Sequence, residues 1–322
     1  MLMTMVNRLP LFLAFLSCAL VFSVGSAPAD RFCNSGDTRI ACSLPSGDYH
    51  VRTPDGPGPF PAVVILHSAG ETGADIVNDP FYVAMVLGRG FAIVAPTGRP
   101  QPYSDGRTAT GWHVRKTSTG GRDDAAFITS VIEVAAQRFQ LDRKRTLLTG
   151  YGNGATLVWE LACLSPSTAS AYAPMNGGFY EALPGRCRAP VRMFVLHSRR
   201  DGFWPLDADD VRVQANRATP VPTRAHLELI QRINGCGTPA AGAGEAPENT
   251  TLIGWRGCHS GSDLVFLEQQ GTAVLTADIF ATVLDWFEPP APPSRVAPPG
   301  VGSVFRRPGE GPTPFGKRPP AQ

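Results

Sequence analysis

The stretch TGYGNGATLVWELAC, Thr149 to Cys163, joins a strand pattern to a helix pattern with almost nothing between them. The apolar run RTLLTG (145–150) ends at a glycine, and helical spacing begins at Asn153 and runs to Leu164. Gly150 and Gly154 leave room for a sharp turn and for close strand–helix packing. The outline is that of G-x-S-x-G, a turn that holds a serine nucleophile at its tip. Here the tip is Gly152. A bare G-x-G-x-G has weak specificity, because an ordinary glycine-rich turn, or one that cradles a phosphate, has the same letters.

Working outward, AVVILH (62–67) and FAIVAP (91–96) are buried-strand patterns, as are VRMFVLH (191–197) and DLVFLE (263–268). Between them lies a helix from Asp123 to Phe139, where Ile128, Val131, Ile132, Ala135 and Phe139 recur at three- and four-residue steps. A last helix is expected from Thr272 to Phe287, with Ala277, Phe280, Leu284 and Phe287 inward. Strand and helix in alternation imply an α/β fold, a mostly parallel sheet with helices on both faces. Ligands of such sheets sit at the carboxyl ends of the strands. The loops leaving those ends begin at His67, Pro96, Gly150 and His197, with a fifth after Glu268.

The 322 residues are not all core. Residues 1–29 read as a secretory signal: Arg8 is the lone early charge, an apolar run spans Leu9 to Val24, and Ala27-Pro28-Ala29 fits a cleavage site. A membrane anchor is the competing interpretation, against which the run is short. Residues 289–322 are so rich in Pro and Gly that they cannot bury enough apolar surface to offset the entropy of ordering. This tail carries five Lys/Arg and one Glu, whereas residues 30–288 carry 23 Lys/Arg and 26 Asp/Glu. The mild basicity of the chain therefore lives in the tail, either a solvated spacer or a contact for anionic cell-envelope polymers. Nothing resembles a nucleic-acid surface. Residues 30–288 form one domain-sized unit. Its six cysteines (33, 42, 163, 187, 236, 258) are an even count in an exported chain and imply disulfides. Of 15 possible pairings, the simplest joins sequence neighbours: Cys33–Cys42, Cys163–Cys187 and Cys236–Cys258. A zinc site at Cys236, Cys258 and His259 competes, without C-x-x-C spacing.

From about Ser46 to Phe287 the chain resembles the secreted polyhydroxybutyrate depolymerase/feruloyl esterase family of α/β-hydrolases. PAVVILHSAGETGADI looks like the strand and oxyanion loop, normally L-H-G-x-x-G. LDRKRTLLTGYGNGATLVWELAC resembles the segment with G-x-S-N-G-G, and VRMFVLHSRRDGFWPL the strand and loop that present the acid. INGCG with GWRGC resembles a cysteine pair, and LVFLEQQGTAVLTADIFATVLDWF the last strand, the histidine loop and the final helix. The resemblance implies a Ser–Asp–His triad. Carried over, the serine position is Gly152, the acid is Asp201 and the histidine position is Thr272, so one of three members matches. In the oxyanion loop Ser68 stands where the family has glycine. Ser68, Ala69, Asn153 and His113 border the implied pocket.

Acyl transfer needs a nucleophile and a base within hydrogen-bond reach, and an acid without a base has nothing to orient. The expectation is thus a protein that has lost catalysis and acts by binding an ester, polyester or acylated polysaccharide, with no cofactor, no metal and no nucleic acid. Two alternatives stand beside it: an active esterase with a relocated Ser68–His113–Asp201 set, and a structural cell-envelope protein working through its tail. Asp201 could equally cap a loop. His67, His197 and His259 read as structural, and His50 and His226 lie in segments without site-like context. Truncation after about residue 290 should leave Tm within about 2 °C, because few buried contacts are lost; a larger drop in a thermal melt would show the tail packed on the domain.

Overall fold

The computed structural model describes residues 33–103, 106–113, 121–210, 219–242 and 244–288. The signal-like residues 1–29 and the tail 289–322 lie outside the described residues. The first half runs β1 (Cys42–Leu44), β2 (Gly47–Arg52), β3 (Phe60–Leu66), α1 (Gly73–Asn78), α2 (Pro80–Tyr82), a π-helical turn (Val83–Leu87) and β4 (Ala92–Pro96). A hairpin of β5 (Arg99–Pro102) and β6 (Thr108–Gly111) precedes α3 (Asp124–Phe139), β7 (Leu141–Tyr151), α4 (Asn153–Leu164) and β8 (Ala171–Met175). There follow β9 (Arg192–Ser198), α5 (Thr223–Asn234), β10 (Pro239–Ala241), β11 (Thr250–Trp255), β12 (Asp263–Gln269) and α6 (Ala277–Phe287).

Ten strands form one sheet in the order β1-β2-β4-β3-β7-β8-β9-β12-β11-β10. The six from β4 to β12 are parallel, and both edges turn antiparallel. Alternation along β3 divides the core. Ala62, Val64 and Leu66 face a cluster shared with α3, α4 and α5, while Val63 and Ile65 face a second shared with α1 and α6. A strand apolar on both faces is what a sheet covered by helices on both sides requires. The expected strands and α4 stand where the apolar runs place them. The last helix does not: it begins at Ala277, with the Thr276 side chain accepting from Ile279 N–H at 3.4 Å. Residues 272–275 are therefore loop, because a threonine cap starts the helix one turn later than the apolar spacing suggests.

The cysteines pair as sequence neighbours, Cys33–Cys42, Cys163–Cys187 and Cys236–Cys258. The last pair consumes both thiols that a zinc site would need.

A buried ion pair ties the hairpin side of the molecule to the sheet. Arg122 and Asp124 have side chains 4% and 0% exposed and are bonded to each other. Arg122 also donates to the carbonyls of Ser46 (3.1 Å) and Thr97 (3.2 Å) and lies 3.9 Å over the Phe127 ring. Asp124 accepts from the His113 N–H at 2.7 Å. Removing one partner strands the other charge in the core, so Asp124→Ala should cost about 3–5 kcal/mol in chemical denaturation, and a loss under about 1 kcal/mol would class the pair with surface bridges.

Four histidines are buried, and burial holds each below the ordinary value: His50, His67, His197 and, pushed down to about 3, His226. His226 stacks on Phe179 and accepts its N–H at 2.6 Å. The unfolded chain binds protons on these rings from about pH 6.5 downward while the native chain does not. Stability is thus full above that pH and falls as pH drops toward the folded values, by up to about 1.4 kcal/mol per unit for each ring still neutral. Denaturation midpoints at pH 7.5 and pH 5 check this; equal midpoints would mean the rings protonate in place.

Candidate active site

β7 feeds α4 through Gly152, which has φ 55° and ψ −115°. That backbone is costly for any residue with a Cβ and free for glycine. The turn is pressed against the end of β3: Cβ atoms at Gly150 and Gly154 would both collide with the Leu66 carbonyl, and the latter also with that of His67. The Asn153 side chain clamps the Trp112 peptide, accepting from its N–H at 2.7 Å and donating to its C=O at 3.3 Å. Gly152 N–H bonds Met175 O at 3.1 Å, which sets the loop after β8 beside the turn.

Ser68 and Ala69 lie on the loop after β3. The Ser68 N–H is taken by the Glu71 carboxylate at 2.8 Å, and Thr110 on the hairpin bonds Glu71 O. His67 is locked: its Nε2 accepts from Gly98 N–H at 2.8 Å, so Nδ1 carries the proton and donates to Ser68 O at 2.7 Å. With both nitrogens engaged and its affinity for protons lowered by burial, this ring cannot serve as a base.

The acid loop and the residue-272 loop do meet at the turn. Tyr151, next to Gly152, donates to Ala273 O at 3.1 Å. Ser198 Oγ and the Arg200 N–H both bond Gly271 O. Thr272 is exposed between these anchors. Asp201 uses one oxygen, Oδ1, to accept the N–H groups of Phe203 and Trp204, each at 2.7 Å, which is the loop-capping alternative. His197, below this loop, donates from Nε2 to Trp204 O at 3.0 Å. His113 is elsewhere. It lines a cavity of about 600 Å³ between α3 and α4, with Asp124, Glu160 and Arg188. No hydrogen bond joins Ser68, His113 and Asp201 among the described residues. His259 packs against Gly235 at the end of α5, its N–H bonding Asn234 O at 2.8 Å.

Sequence reasoning passed over an aromatic cluster on the acid loop. Phe203 and Trp204 pack at 4.5 Å and both touch Tyr180, on the loop after β8. Phe203 (44% exposed) and Val274 (52%) are two of the four large apolar side chains exposed among the described residues, and they stand on the acid loop and the 272 loop. The signal was in the letters DGFWPL, where two aromatics directly follow Asp201. No group of three or more His, Cys, Asp or Glu among the described residues is placed to hold a metal ion.

No family profile matches the chain. Feruloyl esterase C of Emericella nidulans is 25% identical over 238 residues, covering 67% of this chain and 77% of that protein. The bifunctional acetylxylan esterase/xylanase XynS20E of Neocallimastix patriciarum is 22% identical over 237 residues, 70% of this chain but 30% of that longer protein. Among solved structures, the acetyl xylan esterase of Aspergillus awamori superposes with a TM-score of 0.51 at 15% identity, over 74% of this chain and 93% of that one. That likeness is one of fold. With the parallel sheet and the tight β7–α4 turn, the chain has the α/β-hydrolase fold, and in sequence it is similar to feruloyl and acetylxylan esterases.

Proposed function

We propose that this protein is an exported, ester-binding member of its family that does not turn esters over. The observation that carries the proposal is the tip of the turn: residue 152 brings no hydroxyl, and Thr272, at the position the family resemblance assigns to histidine, brings no imidazole. Loss of the nucleophile or the base alone costs on the order of 10⁶ in turnover, and the losses do not add. Asp201 is left as a loop cap. The ligand suited to the cleft is a neutral ester with an apolar or aromatic acyl group, held against Phe203, Tyr180 and Val274. The names of the relatives point the same way, to feruloyl or acetylated-polysaccharide esters. Three disulfides and the signal-like start support export. No helix among the described residues is long and apolar enough to cross a membrane.

Both relatives are named as esterases, which favours the competing reading of an active hydrolase with relocated groups. The two readings part in one experiment. Purified protein should not hydrolyse p-nitrophenyl butyrate, methyl ferulate or short 3-hydroxybutyrate oligomers above background. Methyl ferulate at 100 times its Kd should nevertheless add about 2.7 kcal/mol to the native state and raise Tm by several degrees. Turnover would establish the active reading, and an unmoved Tm with every ester would remove the binding one.

A further inference from the structure

We propose that positions 68 and 152 share one side-chain seat at the tip of the turn, and that here the Ser68 hydroxyl fills it, leaving Ser68 a latent acyl acceptor without a base. A Cβ built on Gly152 would come 2.9 Å from Ser68 Oγ and 3.9 Å from Ser68 Cβ. The first distance is closer than non-bonded carbon and oxygen settle. A side chain on 152 and the hydroxyl of 68 in its present rotamer therefore compete for the same space, and one of them must turn aside. The family resemblance expects glycine at 68 and serine at 152, and this chain carries the reverse. In space the reversal is one exchange: the hydroxyl reaches the same spot from the opposite loop.

The backbone of Ser68 is fixed and its side chain is not. The N–H is held by Glu71 at 2.8 Å, and the carbonyl accepts from His67 Nδ1 at 2.7 Å and from the Glu71 N–H at 3.3 Å. Ser68 is half-buried, and its hydroxyl makes no hydrogen bond among the described residues. A hydroxyl so placed, with no internal partner, is available to a ligand in the cleft. It is not activated. Both His67 nitrogens are engaged, His197 lies buried with Nε2 on Trp204 O, and His113 faces the cavity between α3 and α4. A serine hydroxyl without a base is a poor nucleophile. The inference rests on the cleft being an ester site without turnover, and adds which atom a bound acyl group would meet.

Two measurements test it. The first is a double-mutant cycle on Tm. Gly152→Ala suffers both the positive φ and the clash with Ser68, whereas in the Ser68→Gly background only the φ remains. The Tm drop caused by Gly152→Ala should fall by at least half in that background; equal drops in the two backgrounds overturn the shared seat. The second supplies the base from outside. With a fluorophosphonate probe and added imidazole, Ser68 Oγ attacks phosphorus, the P–F bond breaks, fluoride leaves and imidazole takes the hydroxyl proton. Peptide mass spectrometry should find at least tenfold more adduct on Ser68 with imidazole than without, and none at residue 68 in Ser68→Ala. No imidazole-dependent adduct on Ser68 overturns the acyl-acceptor half. Hydrolysis of p-nitrophenyl butyrate without imidazole would instead sink the reading of a site without turnover, while the cycle would still decide the shared seat.

Discussion

The first turn of α4 lies against the end of β3 with no side chain between them, and the rest of the cleft depends on that contact. Gly154 meets the Leu66 and His67 carbonyls where any Cβ would collide. A larger residue would push the helix outward, and overpacking of this kind costs about 1–3 kcal/mol in a filled core. It would also draw Asn153 away from the Trp112 peptide and so release the hairpin from the turn. Because helix and strand are this close, residue 152 is forced to φ 55°. A serine there would store of order 1–3 kcal/mol of backbone strain. Glycine stores none, so this chain retains the shape of a strained turn without the strain.

Around that turn, polar groups of the kind that do chemistry in an esterase are committed to holding backbone. His67 ties the Ser68 carbonyl to the Gly98 amide, Asn153 holds Trp112, Asp201 caps Phe203 and Trp204, and His197 holds Trp204 O. Farther out, Arg199 bonds the nearly buried Glu268 at the end of β12, and Arg224 pairs with Asp207. These contacts clamp the acid loop to α5 and to the strand leading into residues 270–273. Backbone hydrogen bonds thus hold the loops around the turn, although the buried His197 Nδ1 and Trp204 Nε1 have no hydrogen-bond partner among the described residues.

The sequence by itself determined the layers, the parallel centre of the sheet and the α4 start; of the possible cysteine pairings it favoured the neighbour pairing that the structure forms. Each of these follows from local periodicity or from neighbours in sequence: β3 is apolar throughout and β9 from Met193 to Leu196 because both faces are covered, and each disulfide closes a short loop. The antiparallel edges, the hairpin and α5 were not legible, since short strands with mixed letters owe their state to the strand beside them. The last helix was read five residues too long because apolar spacing does not sense a threonine cap. Within the cleft, the letters showed that residue 152 lacks a hydroxyl and that residue 272 lacks an imidazole. Only the tertiary structure decided that Ser68 projects at the vacant tip, that Asp201 caps its own loop, and that the 272 loop is tied to Tyr151 and Ser198. The first and the last of these depend on loops about 70 to 120 residues apart being brought within contact distance by a sheet, and no local pattern encodes such a distance.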